Sequence, residues 1–186
     1  SSTGGVGQPP PAVFSYKETG EGAGPTQDSP ARQAPSDFRR HLPHFEGRGN
    51  PLFITLTTKD RWHLPETARE LVLKHILHDH PAKMNLICAV VMPDHAHLLY
   101  DPICDAEGNR YTKTEIVGAI KSASAHYINK LLKRKGPVWQ DESFDHVTRE
   151  SESVEAKAQY IVENPVRKGL CQRLDEYPYL WRAWVE

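Results

Sequence analysis

Three cysteines in 186 residues (Cys88, Cys104 and Cys171) are too few for a disulfide framework, and no two form a C-x-x-C pair. Such spacing excludes the usual cysteine-based zinc modules and fits reduced thiols, so a cytoplasmic location is expected. Net charge is nearly absent as well: 23 Lys and Arg against 24 Asp and Glu leave −1. A globally basic surface is thereby excluded as a means of holding nucleic acid, although a local patch is not. No apolar run approaches the length of a bilayer span and no charged-then-apolar leader is visible, so no membrane partner is expected. A Walker-type glycine loop and a G-x-S-x-G elbow are missing too, which argues against a nucleotide cofactor and a serine hydrolase.

Glycine and proline are present but unevenly placed. Residues 1–50 hold seven of the fifteen prolines and eight of the twelve glycines. Such a segment cannot bury enough apolar surface to offset its ordering entropy. Residues 1–37 are therefore expected to be a disordered tail, and residues 38–186 a single domain. Arg39 and Arg40, at the start of that domain, are candidates for contact with a ligand.

From Pro51 onward the pattern is globular. Leu52–Thr58 is rich in β-branched residues and reads as a strand. Pro65 opens a helix that runs to about His80, with Leu71, Val72, Leu73, Ile76 and Leu77 as its apolar stripe and Pro81 as its stop. Asn85–Met92 and Ala96–Tyr100 read as two strands around a turn at Pro93-Asp94. Thr114–Lys135 reads as a long helix with Ile116, Ile120, Ala123, Tyr127 and Leu131 inward, ended by Gly136-Pro137. A short strand or loop over Val138–Arg149 precedes a last helix from about Ser151 to Asn164-Pro165. The order β-α-β-β-α-β-α implies an α+β fold, a small antiparallel sheet with flanking helices. There are no internal repeats.

The segment Val90-Val91-Met92-Pro93-Asp94-His95-Ala96-His97-Leu98-Leu99-Tyr100 stands out. On a strand His95 and His97 share a face while Ala96 points to the other. Two imidazoles on one face are able to chelate a single divalent cation, and an inward strand face has no packing reason to carry two of them. The bland alternative is a pair of ordinary histidines in a chain with ten. The chain after His97 is too short for an eight-stranded barrel, which argues against a barrel-type metallohydrolase.

Two further constellations accompany the pair. Tyr160 and Asn164 are four residues apart on the last helix, so they share a face different from the Val154, Ala158, Ile161 stripe. A phenol and an amide on one helix face suit a neighbouring metal centre; equally, Tyr160 packs at the helix edge and Asn164 caps the end before Pro165. Between Thr112 and Pro137 lie six basic residues (Lys113, Lys121, Lys130, Lys133, Arg134 and Lys135) against one acid, Glu115. That patch suits a phosphate backbone, though cations near a helix C-terminus also stabilise the helix itself. Trp139 beside it reads as a core residue.

Taken together, these blocks resemble the single-tyrosine HUH transposases, and most closely the REP-associated tyrosine transposases. The resemblance runs from about Asn50 to Trp181. It rests on Phe53-Ile54-Thr55 and Lys59-Asp60-Arg61, then Val91-Met92-Pro93-Asp94-His95-Ala96-His97-Leu98-Leu99, Lys121-Ser122, Gly136-Pro137-Val138-Trp139-Gln140 and Phe144-Asp145, and finally Tyr160-Ile161-Val162-Glu163-Asn164-Pro165-Val166-Arg167-Lys168-Gly169. It implies a ferredoxin-like or RRM-like antiparallel sheet of four to five strands with the histidines on a central strand. It further implies Mg²⁺ or Mn²⁺ held by His95 and His97, Tyr160 as nucleophile, and Asn164 (or Glu163) completing the metal site. Ala96 departs mildly from the bulkier residue usual between the two histidines. The implied activity is cleavage and rejoining of single-stranded DNA at hairpin repeats through a 5′-phosphotyrosine, by a monomer or homodimer. Arg39, Arg40, Lys121, Lys130, Lys133, Arg134 and Lys135 would contact the DNA. Two alternatives use the same residues: a domesticated DNA-binding protein without catalysis, and a metal-dependent hydrolase that uses water.

Overall fold

The computed structural model describes residues 51–147 and 153–184. The proposed tail, with Arg39 and Arg40, lies outside them. The elements are β1 (Leu52–Thr57), α1 (Glu66–His78), β2 (Met84–Val91), β3 (His95–Pro102), α2 (Lys113–Leu131), β4 (Phe144–Val147), α3 (Val154–Val162), α4 (Asn164–Arg167) and β5 (Leu180–Arg182). They form an α+β fold whose five strands pair in the order β4-β1-β3-β2-β5, antiparallel at every junction.

The sheet has two covered faces, and strand alternation assigns each residue to one of them. Ile54, Leu56, Ala96 and Leu98 face α1 and α2, where Ala68, Val72, Ile76, Ile116, Val117, Ile120 and Ile128 close the larger core. Phe53, Cys88, Val90 and Leu99 face α3 and pack on Ala158, Ile161 and Val162. A bulge in β2 between Leu86 and Cys88 turns Ile87 and Cys88 to the same side, which adds a residue to the α3 face. β3 is the middle strand, so its side chains are enclosed by neighbours on both edges.

α2 differs from its expected face and length. Tyr127 and Leu131 are about half exposed, while Ser124 and Ile128 are fully buried. The buried stripe is thus rotated toward Ser124, whose hydroxyl donates to the Ile120 carbonyl (2.6 Å) and accepts from Trp139 Nε1 (2.9 Å). A polar residue becomes a core residue because the indole needs an acceptor there. The helix starts in a capping box between Thr112 and Glu115. It stops earlier than Gly136: Lys133 takes the left-handed conformation (φ 50°), and Arg134 N–H reaches back to the Asn129 carbonyl at 3.0 Å. This is the pattern in which glycine usually sits.

The last helix is followed at once by a second, shorter one. Glu163 ends α3 close to the expected end at Asn164-Pro165, and Pro165 sits in the first turn of a further short helix, α4. Asn164 begins α4 instead of capping α3. Beyond it Leu180–Arg182 pairs with Val90–Cys88 as a fifth, edge strand.

Candidate active site

The hairpin between β2 and β3 builds the site. Met92 N–H bonds the His95 carbonyl (2.8 Å), Leu64 N–H bonds the Pro93 carbonyl (2.6 Å), and Thr58 donates both its N–H (3.0 Å) and its hydroxyl (2.9 Å) to the Asp94 carbonyl. With its carbonyls held from the β1 end, the turn delivers His95 and His97 to the α3 face of the sheet at a fixed register.

On that face the rings converge. His95 and His97 meet edge-on with centroids 4.7 Å apart, His97 stacks on Phe53 at 5.3 Å, and the Tyr160 ring lies 6.1 Å from His97. Tyr160 projects from α3 and is 45% exposed, whereas His97 is only 7% exposed. Asn164 is buried at the start of α4. Glu163 accepts a hydrogen bond from Gln159 Nε2 at 2.8 Å, one turn back on its own helix.

Each imidazole has one nitrogen already engaged. His95 Nδ1 is 2.6 Å from Asp94 Oδ1, and Asp94 Oδ2 in turn accepts from Arg61 at 3.2 Å. His97 Nδ1 lies 2.9 Å from the Thr55 hydroxyl. An acidic acceptor on His95 Nδ1 puts the ring proton there and leaves Nε2 as the free lone pair; partners of this kind are how metal-binding histidines are oriented. Burial opposes ionisation of Asp94, but its bonds to His95 and Arg61 outweigh this and hold its carboxyl below the usual range. Burial, helped by nearby His95 and Arg167, lowers His97 to about 3 from its ordinary value of 6.5, so its imidazole is neutral at physiological pH.

This donor set fits a divalent cation of open coordination. Among the described residues no group of three or more His, Cys, Asp and Glu side chains is placed to hold a metal ion. The two imidazoles leave room for oxygen donors from a substrate, unlike the closed four-ligand set of a structural zinc site.

The basic patch is not part of this cluster. α2 packs on the opposite face of the sheet from His95 and His97. Lys121 Nζ is committed to the Gln140 and Asp141 carbonyls (2.6 and 2.9 Å), and Arg134 lies over the Trp62 ring at 4.0 Å while donating to the Pro137 carbonyl. Lys130, Lys133 and Lys135 are exposed. A cleft of about 750 Å³ beside Lys121 and Trp139 contains no histidine and belongs to that other side.

Three residues near the pair carried no assigned role in the sequence reading: Thr55, Asp94 and Arg167. Asp94 had a signal, since an acid directly preceding a strand histidine is near its Nδ1. Thr55 had none, because only the β1–β3 register sets it opposite His97.

A histidine pair on the middle strand of an antiparallel sheet, faced by a tyrosine from a packed helix, describes the class. Residues 52–164, more than half of the chain, match the sequence profile of the IS200-like transposases, and the chain belongs to that family. A Haemophilus influenzae protein named for the REP-associated tyrosine transposases is 25% identical over 154 residues, covering 77% of this chain and 84% of that one. A solved REP-associated tyrosine transposase, bound to a REP hairpin, aligns with a TM-score of 0.54 at 20% identity, over 72% of this chain and 77% of that chain. The latter likeness is one of fold. No helix among the described residues is long and apolar enough to cross a membrane.

Proposed function

We propose that the protein is a metal-dependent single-stranded DNA endonuclease and strand transferase that acts at hairpin-bearing repeats. The observation that carries this reading is the approach of an exposed phenol, Tyr160, to an oriented histidine pair whose inner member, His97, is buried. A structural tyrosine gains nothing from that neighbourhood; a nucleophile aimed at a phosphate does.

In the reaction, Tyr160 Oη bonds to phosphorus as the bond from phosphorus to the 3′ oxygen breaks. The phenol gives up its proton to solvent, and the departing 3′ oxygen takes one up. One strand then ends in a 3′-OH and the other is joined through its 5′-phosphate to Tyr160. Because one phosphoester replaces another, the 3′-OH can reverse the step and rejoin strands without ATP. His95, His97 and Asn164 would hold a Mg²⁺ or Mn²⁺ ion, which would supply charge stabilisation at the phosphate and leaving oxygens. Asp94 and Thr55 hold the two rings for this task, and Phe53 backs His97 against rotation. Exposed Lys130, Lys133 and Lys135 are the contacts proposed for DNA backbone away from the chemistry. The hairpin in the solved relative supports the substrate class.

Incubating the full chain with labelled hairpin-bearing single-stranded DNA and Mn²⁺, then resolving products on denaturing gels, tests the reading. A metal-dependent covalent adduct is expected, absent in Tyr160→Phe and reduced at least about 100-fold in His95→Ala. Cleavage that survives Tyr160→Phe without an adduct identifies a water nucleophile instead. Binding without cleavage across a panel of hairpins identifies a DNA-binding protein without catalysis.

A further inference from the structure

Arg167 is seven residues beyond Tyr160, which in one continuous helix is two turns, or about 10 Å along the axis. The long side chain of Arg167, on α4 just past the interruption at Glu163, spans that separation. Arg167 on α4 places its Cζ 4.1 Å from the Tyr160 ring centroid, and its Nη2 donates to the Tyr160 carbonyl at 2.9 Å. That carbonyl is in the last turn of α3, where backbone acceptors lack helical partners. The guanidinium is thus fixed at two points, by stacking and by one hydrogen bond.

A helix-end contact uses one N–H of the five that a guanidinium carries. The remaining donors of Arg167 meet no acceptor among the described residues, and the residue is exposed. They sit beside an exposed phenol and close enough to His97 to bias its charge. Of the other charges on this side, Arg61 is paired with Asp94 and Lys157 lies over Phe53 at 5.1 Å. Arg167 is therefore the cation with unspent, planar donors against the ring that carries the attacking oxygen.

We propose that Arg167 is a catalytic phosphate clamp: its free N–H groups receive a non-bridging oxygen of the phosphate that Tyr160 attacks. This rests on the proposed nuclease reading. The fork geometry matches two phosphate oxygens, and the stack on Tyr160 sets that fork and the nucleophile in one frame before substrate arrives. A lysine in its place keeps the charge but loses the stack and the fork.

Two measurements test the clamp. In the first, adduct formation is timed with Rp and Sp phosphorothioates at the scissile position. Arg167→Ala should slow the adduct about 100-fold or more while hairpin affinity changes less than about threefold, and Arg167→Lys should recover part of the rate. Wild type should discriminate between the two diastereomers, and Arg167→Ala should lose much of that discrimination, which loss of ring positioning alone would leave in place. An Arg167→Ala rate within threefold of wild type, or an unchanged diastereomer ratio, overturns the proposal while leaving the nuclease reading intact. In the second, ¹³C-labelled tyrosine resonances, with Tyr160 assigned through Tyr160→Phe, are followed as millimolar inorganic phosphate is added. The Tyr160 ring should shift in wild type and stay still in Arg167→Ala; equal shifts overturn the clamp. This arm decides the matter even if no hairpin yields an adduct, the outcome that defeats the nuclease reading itself.

Discussion

The Thr55 hydroxyl lies 2.9 Å from His97 Nδ1, directly across the β1–β3 register that pairs the two residues. The bond occupies the inner nitrogen of a ring that Phe53 already backs, so His97 has one orientation and one nitrogen left to offer. Replacing Thr55 with valine keeps shape and β preference but leaves Nδ1 buried without its partner. The expected result is Mn²⁺ affinity weaker by about tenfold or more, measured by calorimetry. The accompanying loss of stability is about 1 kcal/mol, measured by urea melts.

His97 also makes acid stability specific. Burial first, then the positive neighbours His95 and Arg167, lower its pKa to about 3 from 6.5. Between those values the unfolded chain takes up a proton that the folded chain refuses. Its contribution in metal-free protein is therefore fully retained above pH 6.5 and lost as pH falls toward 3. The decline should reach roughly 2–3 kcal/mol by pH 4.5. His97→Gln should flatten this slope in denaturant melts at pH 7 and 4.5.

Lys133 sits at the left-handed position that ends α2 (φ 50°), where a side chain costs energy that glycine avoids. Lys133→Gly should raise stability by about 0.5–1 kcal/mol in thermal melts. If Lys133 touches a DNA phosphate, the same variant should reduce the salt slope of hairpin binding by about 1. A lower melting temperature would contradict the C-terminal capping described for α2.

Ser124 is buried because it serves Trp139. Removing its hydroxyl in Ser124→Ala leaves the indole N–H of Trp139 without its 2.9 Å acceptor, in a site closed to water. The expected cost is about 1–3 kcal/mol in urea melts, with DNA cleavage at saturating substrate unchanged, since the pair lies on the sheet face away from the histidines.

Where sequence pattern and side-chain chemistry agree, the fold was legible. β1 and α1 follow from β-branched runs and apolar spacing, and the His-x-His alternation follows from strand geometry alone. The stripe of α2 was misread because a serine counts as polar until its tryptophan partner is known. The end of α2 was placed at Gly136 because a lysine in left-handed conformation has no signature in sequence. The end of α3 was marked by Pro165, but the stack of Arg167 on Tyr160 is visible only in three dimensions. That the basic helix lies on the other face of the sheet from the histidines is likewise not visible from its closeness to them in sequence. The strand Leu180–Arg182 was too short, at three residues, to be located by periodicity.

The central claim is that Tyr160 becomes joined to DNA. The direct measurement is mass spectrometry of the protein after reaction with hairpin single-stranded DNA and Mn²⁺, followed by nuclease trimming and peptide mapping. A nucleotide 5′-phosphate is expected on the peptide that contains Tyr160, fragmenting to that residue and no other. Cleaved DNA with every tyrosine unmodified, or a phosphate mapped to a different tyrosine, would contradict it.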